Sequence, residues 1–149
     1  MENSIYLAER FNRILERVAG EELFDIEEDG SLKTTVHTGR TIEAFGLRVD
    51  FPNGSVLVTT HVFLAVEEHN YQRVKTLLES INALGVNGVF FINEDNIISF
   101  ATKCEFDELV EIDNPFDIVF RGCETFEMFT DSILKALSGT NTFYIRNMK

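Results

Sequence analysis

Three features of this 149-residue chain predict an α+β fold, a mainly antiparallel β-sheet with helices packed on it. Alternating apolar segments flank two turn sequences, Pro52-Asn53-Gly54 and Asn93-Glu94-Asp95-Asn96. Apolar residues at helical spacing come before, between and after these hairpins. The strands are joined by tight turns, so neighbours run antiparallel and the order reads α-β(n)-α-β-β-α. The length suits a single domain over 1–149, large enough for a proper core.

Residues 4–19 form the first helix, with Leu7, Phe11, Ile14, Leu15 and Val18 on its apolar stripe and Gly20 at its end. A strand around Leu23–Ile26 turns at Asp29-Gly30 into Leu32–Val36. Over 45–51, Phe45, Leu47, Val49 and Phe51 point one way, and Gly46, Arg48 and Asp50 the other. The next strand, 56–64, is apolar on both faces. Val56, Val58, Val62 and Leu64 share one with Thr60; Leu57 and Phe63 share the other with Thr59 and His61. That pattern predicts a sheet covered on both sides, by a helix, a second copy or a client. The second helix carries Tyr71, Val74, Leu77, Leu78, Ile81 and Leu84 and stops at Gly85. Val89–Ile92 is a short apolar strand. Residues 97–106 pair back on it, with Ile98, Phe100, Thr102, Cys104 and Phe106 on one face. One long last helix starts at an Asn114 cap with Pro115 in its first turn. It runs through Phe116, Val119, Phe120, Cys123, Phe126, Ile133, Leu134 and Leu137 to Gly139. Phe143-Tyr144-Ile145 reads as a short edge strand or a flexible end.

A formal charge of −12 repels phosphate backbones and anionic lipid, so neither nucleic acid nor membrane is expected as a partner. No stretch approaches the ~18 apolar residues of a membrane span. The first ten residues lack a basic segment and a continuous apolar run, which predicts a soluble, cytoplasmic protein. Fourteen Phe and no Trp predict an aromatic core. Cys104 and Cys123 do not make a disulfide framework, and Cys123 falls on an apolar helix stripe.

Catalytic and cofactor chemistry is thinly supported. Asp25, Asp29, Gly30 and Leu32 fit the opening of a calcium loop, but Val36 stands where the closing Glu belongs, so an exposed hairpin turn is expected. His37 and His61 fall on predicted strands that could bring them together, but neither has a Cys or carboxylate at metal-ligand spacing, and His69 lies near a helix start. Gly85-Val86-Asn87-Gly88 precedes a strand and lacks the Lys of a phosphate loop. The expectation is therefore a non-enzymatic protein without metal or cofactor. Partner-binding residues are sought in the apolar surplus, since Leu57, Phe63, Phe90 and Ile97 or Ile98 cannot all face one side of one sheet. Glu105, Asp107 and Glu108 add an acidic rim suited to Lys or Arg on a partner.

Several segments resemble the YbjN family, small bacterial proteins described as sensory transduction regulators with the fold of type III secretion chaperones. They are Gly46-Leu47-Arg48-Val49-Asp50-Phe51, the hairpin to Val62-Phe63-Leu64, the Leu78-x-x-Ile81-Asn82 pattern, Gly88–Ile92, Ile97–Phe100 and the last helix. Segment 21–40 departs from the family pattern. The resemblance implies an antiparallel sheet with helices on it, dimerisation, and no enzymatic residues to carry over. The expected function is a protein-binding module, chaperone-like or regulatory, acting as a homodimer and on a client segment. Two alternatives stand beside it. One is a small-molecule sensor with a pocket between sheet and helices; the other is an acidic nucleic-acid mimic.

Overall fold

The structure, a computed structural model, describes residues 2–106 and 116–139. Asp107, Glu108, the Asn114-Pro115 helix start and the Phe143-Tyr144-Ile145 segment lie outside the described residues. Helix α1 (Glu2–Ala19) is followed by β1 (Asp25–Ile26), β2 (Leu32–His37), β3 (Ala44–Asp50) and β4 (Ser55–Ala65). Helix α2 (Tyr71–Asn82), β5 (Val89–Ile92), β6 (Ile97–Glu105), α3 (Phe116–Met128) and α4 (Thr130–Leu137) complete the order. The strands form one six-stranded sheet, β1-β2-β3-β4-β6-β5, and every described pairing is antiparallel.

The turns follow from local chemistry. Asp29 Oδ1 accepts from the Ser31 N–H at 2.9 Å and the Ser31 hydroxyl at 2.6 Å, which closes the β1–β2 hairpin as an Asx turn. This is the arrangement that the calcium-loop spacing disguises: the carboxylate is already occupied. Asn93 Oδ1 likewise accepts from the N–H groups of Asp95 and Ile97, at 2.9 and 3.0 Å, and turns β5 into β6.

The core lies on one side of the sheet. Phe45, Leu47, Val49 and Phe51 are buried there, with Val56, Val58, Thr60 and Val62, and with Phe90, Ile98, Phe100 and Thr102. Two aromatic groups fill the space beneath the helices. Phe11 of α1 meets Phe24 and Phe51 edge-on, and Phe51 leans on Phe106. Under α3, Phe126 packs on Phe45 and Phe90, and Phe90 on Phe100, at centroid separations of 4.8–5.4 Å. The interior that a sensor domain would keep open is occupied by rings.

Three expectations change. The last helix is two helices, broken at Phe129 (φ −118°, ψ 17°). The Phe126 carbonyl accepts from the Phe129 N–H at 3.1 Å, an i to i−3 bond that tightens the chain at the break, and from the Thr130 hydroxyl at 3.0 Å. Leu64, expected in the core with Val62, is exposed, because the β4–β6 register shifts between His61 and Ala65. Val18 and Tyr71 are exposed at the ends of their helices, and Leu84 is exposed in the turn beyond α2, rather than packed on the stripe.

The outer sheet face as candidate functional site

The register decides which side chains share the outer face, away from the core. One row runs Thr35, Gly46, His61, Ser99 and Phe91 across β2, β3, β4, β6 and β5. The next runs Lys33, Arg48, Thr59, Ala101 and Val89. A groove of about 580 Å³ crosses the sheet from Asp25 on β1 to Phe91 on β5, and no helix residue lines it. Among the described residues the helices pack on the core side alone, so none of them supplies the expected cover on this face.

The groove floor is shaped by small residues. A β-carbon on Gly46 would fall inside the imidazole of His61, so the ring lies flat across the glycine. Its other neighbour is Phe63, edge-on at 5.1 Å. This half-buried position pushes the His61 pKa below its ordinary value, through loss of hydration. Ser99, also on the floor, is buried and sits 3.4 Å from Asn93 Nδ2.

Charge on this face is largely compensated. Arg48 donates through Nε to Asp50 at 2.9 Å and through Nη2 to Asp29 at 2.9 Å. Hydrogen bonds from the Ser31 hydroxyl and N–H, and then from Arg48, hold Asp29 well below the usual carboxylate range. Lys33 lies 3.5 Å from Glu27. A chain of net charge −12 thus carries a near-neutral strip with apolar edges. Such a surface suits non-covalent binding of protein; it offers no paired carboxylates and no activated nucleophile. The buried thiol of Cys123 is pushed up to about 12 by desolvation and by Glu127 and Glu124. Among the described residues no group of three or more His, Cys, Asp or Glu stands ready for a metal ion. Nor is any described helix long and apolar enough to cross a membrane. His37 and His61 share the outer face but sit on strands separated by β3, and His69 pairs with Glu67 at 3.4 Å.

The residues expected to bind a partner divide. Leu57 is half-buried on the outer face and Phe63 is 56% exposed there. Ile97 is half-buried against the core at the end of β6, and Glu105 is exposed at the other end of that strand. Phe90 is a correction: at 2% exposure it is a core ring between Phe100 and Phe126. Its neighbours Val89 and Phe91 take the outward positions instead. The four residues of β5 are all apolar, so no alternation marks which face is buried, and only pairing with β6 decides it. The His61–Gly46 pair leaves one trace in the sequence, a glycine in mid-strand.

No family model matches the chain, and no curated protein matches it in sequence. Among solved structures it is similar to a chain of the HopA1-SchA chaperone–effector complex. The TM-score is 0.51 at 10% identity, over 93% of this chain and 96% of that one. The likeness is one of fold.

Proposed function

We propose that this chain is a chaperone-like protein-binding module, non-enzymatic and cytoplasmic, which holds a partner protein against the outer face of its sheet. The observation that carries this reading is the uncovered face itself. It sets Phe63 and Phe91 in a near-neutral groove, with Leu57 and Val89 elsewhere on the same face, while the interior is filled. The fold shared with a chain of a chaperone–effector complex supports it, as does the resemblance of several sequence segments to YbjN proteins. The sensor alternative loses support from the ring-filled core, and the nucleic-acid mimic from the paired charges on the groove.

The test is site-specific photo-crosslinking in the native host. A photoreactive phenylalanine analogue at Phe63 or Phe91 is expected to capture one defined protein, and the same analogue at exposed Met128 is expected not to. Equal capture at all three positions, or none at Phe63 and Phe91, rejects the outer face as the binding surface. Self-association belongs to the same reading: light scattering after size-exclusion chromatography is expected to give a dimer. A clean monomer removes that part and leaves client binding standing.

A further inference from the structure

Helix α1 carries a second surface, built from charge rather than apolar area. Ala8, Phe11 and Leu15 bury its inner side. Tyr6, Arg10, Arg13 and Arg17 recur at spacings of four, three and four residues, so they form one line along a flank of the helix. Tyr6 is 55% exposed, and Arg13 and Arg17 are exposed. Arg10 is half-buried, with its guanidinium carbon 5.2 Å from the centre of the Phe106 ring. Such stacking uses the face of the guanidinium and leaves its planar edge of N–H donors free. Other arginines are already engaged. Arg48 donates to Asp50 and Asp29, Arg40 pairs with Glu127, and Arg121 donates to Thr102. Among the described residues no carboxylate pairs with Arg10, Arg13 or Arg17. Glu9 and Glu16 are exposed on the adjoining flank, roughly a quarter-turn round the helix. Like charges three and four residues apart destabilise a helix, and no described ion pair offsets them here. Arg17 also suits the carboxyl end of α1, where it meets the helix dipole. Arg10 and Arg13 lie in mid-helix and have no such role.

We infer that the line of Tyr6, Arg10, Arg13 and Arg17 is a docking surface for an acidic segment of a protein, whose Asp and Glu carboxylates the guanidiniums hold. The occupant follows from charge complementarity on this flank alone. A guanidinium fork matches a carboxylate with two parallel hydrogen bonds, and three unpaired forks in a row call for carboxylates in a row. Tyr and Arg, the only residue types on the line, are those that protein interfaces concentrate. The spacing fits. Arg10 and Arg13 stand about 4.5 Å apart along the axis, and Arg13 and Arg17 about 6 Å. Same-side residues of an extended chain recur about every 6.8 Å, a difference that the long Arg and Glu side chains absorb. Phosphates meet the same forks, but nucleic acid and lipid present wide polyanionic surfaces. Either would also press on Glu9 and Glu16, and on exposed Glu21 and Glu22 beyond the helix. A short acidic segment stays on the line and avoids them. The surface is separate from the outer-face groove, which no residue of α1 lines, so the two are tested apart.

The test is fluorescence anisotropy with the full chain and a labelled peptide of alternating glutamate and serine. The peptide is expected to bind, and to bind more weakly as salt is added. Arg13 and Arg17 are exposed, so the double variant Arg13→Glu, Arg17→Glu is expected to fold and to lose affinity by about tenfold or more. Arg73→Glu with Lys75→Glu makes the same change of charge at exposed positions on α2, and is expected to bind as the parent does. Lysine at all three arginine positions keeps the charge and removes the forks, and is expected to bind several-fold more weakly than the parent. NMR of the parent with the peptide needs no variant: amide shifts are expected across 6–17 and not at Val89 or Phe91. Four results overturn the inference: no binding by the parent at low salt, full binding by the α1 reversal, equal loss in the α2 reversal, or shifts that spare α1. Tighter binding of a single-stranded oligonucleotide or of phosphatidylglycerol vesicles at α1 overturns it too, in favour of another polyanion. Self-association that the α1 reversal abolishes would assign the line to a second copy. Failure of the crosslinks at Phe63 and Phe91 removes the outer-face reading and leaves this one standing.

Discussion

The hydroxyl of Thr60 fills the notch that Gly122 leaves in α3. A β-carbon on Gly122 would overlap the Thr60 side chain, so the helix rides on the sheet at a separation that only glycine permits. Thr60 is fully buried, and its hydroxyl has no hydrogen-bond partner. Close approach of helix and sheet is thereby coupled to an unsatisfied polar atom, which costs stability.

Gly122→Ala is expected to destabilise the fold by about 1–3 kcal/mol through overpacking. Thr60→Ala in the same chain makes room for the new methyl and recovers part of that loss. The coupling in a urea-unfolding double-mutant cycle is expected to exceed about 0.5 kcal/mol. Strict additivity would show that the two residues do not touch.

Asn82 at the end of α2 takes both outward backbone groups of Phe90 on β5. The Phe90 N–H donates to Asn82 Oδ1 at 2.8 Å, and Asn82 Nδ2 donates to the Phe90 carbonyl at 3.0 Å. Asn82→Ala leaves both outward groups of Phe90 without their protein partner and is expected to cost about 1–3 kcal/mol. Light scattering of the variant is expected to rise with concentration, because an unpaired margin recruits other chains. Asn82→Asp keeps the acceptor for the Phe90 N–H but sets a carboxylate against its carbonyl, and is expected to rescue little. A variant as stable and as dispersed as the parent would refute the role given to this amide.

His61 supplies a pH signature. Its folded pKa lies below the ordinary value of 6.5, so the unfolded chain takes up the proton first as pH falls. Its contribution to stability is complete above about pH 6.5. It declines below that, and the decline ends once the lower folded pKa is passed. Calorimetry from pH 7.5 to 5 is expected to show Tm falling more steeply for the parent than for His61→Gln. Parallel curves would assign the slope to other groups.

The Cys123 thiol, buried under α3 and pushed up to about 12, is expected to resist iodoacetamide at pH 8 in the folded chain and to react on unfolding. Mass spectrometry across a urea series checks this. Rapid labelling without denaturant would mean that α3 lifts from the sheet readily.

What the sequence made legible follows its periodicities. Strict alternation in β3 placed Phe45, Leu47, Val49 and Phe51 on the core side, where each is buried. Periodicity could not orient Phe90 inside an unbroken apolar run, and it carries no trace of the turn at Phe129 that divides the last helix. Apolar residues on both faces of β4 suggested a covered sheet. The structure separates the two sets and leaves Leu57 and Phe63 on the bare side. Asn82 stood out only as part of a pattern, because its work depends on a strand eight residues further on.

The unequal margins of the sheet also limit what the molecule can build. A fibril made by stacking sheets side by side needs two receptive edges per subunit, one to accept and one to offer. Here Asn82 already occupies the outward N–H and C=O of Phe90 on β5, so that margin is the less receptive of the two. Stacking through β5 must first displace that amide, which sets a cost on sheet-to-sheet growth at this margin that the opposite one does not carry.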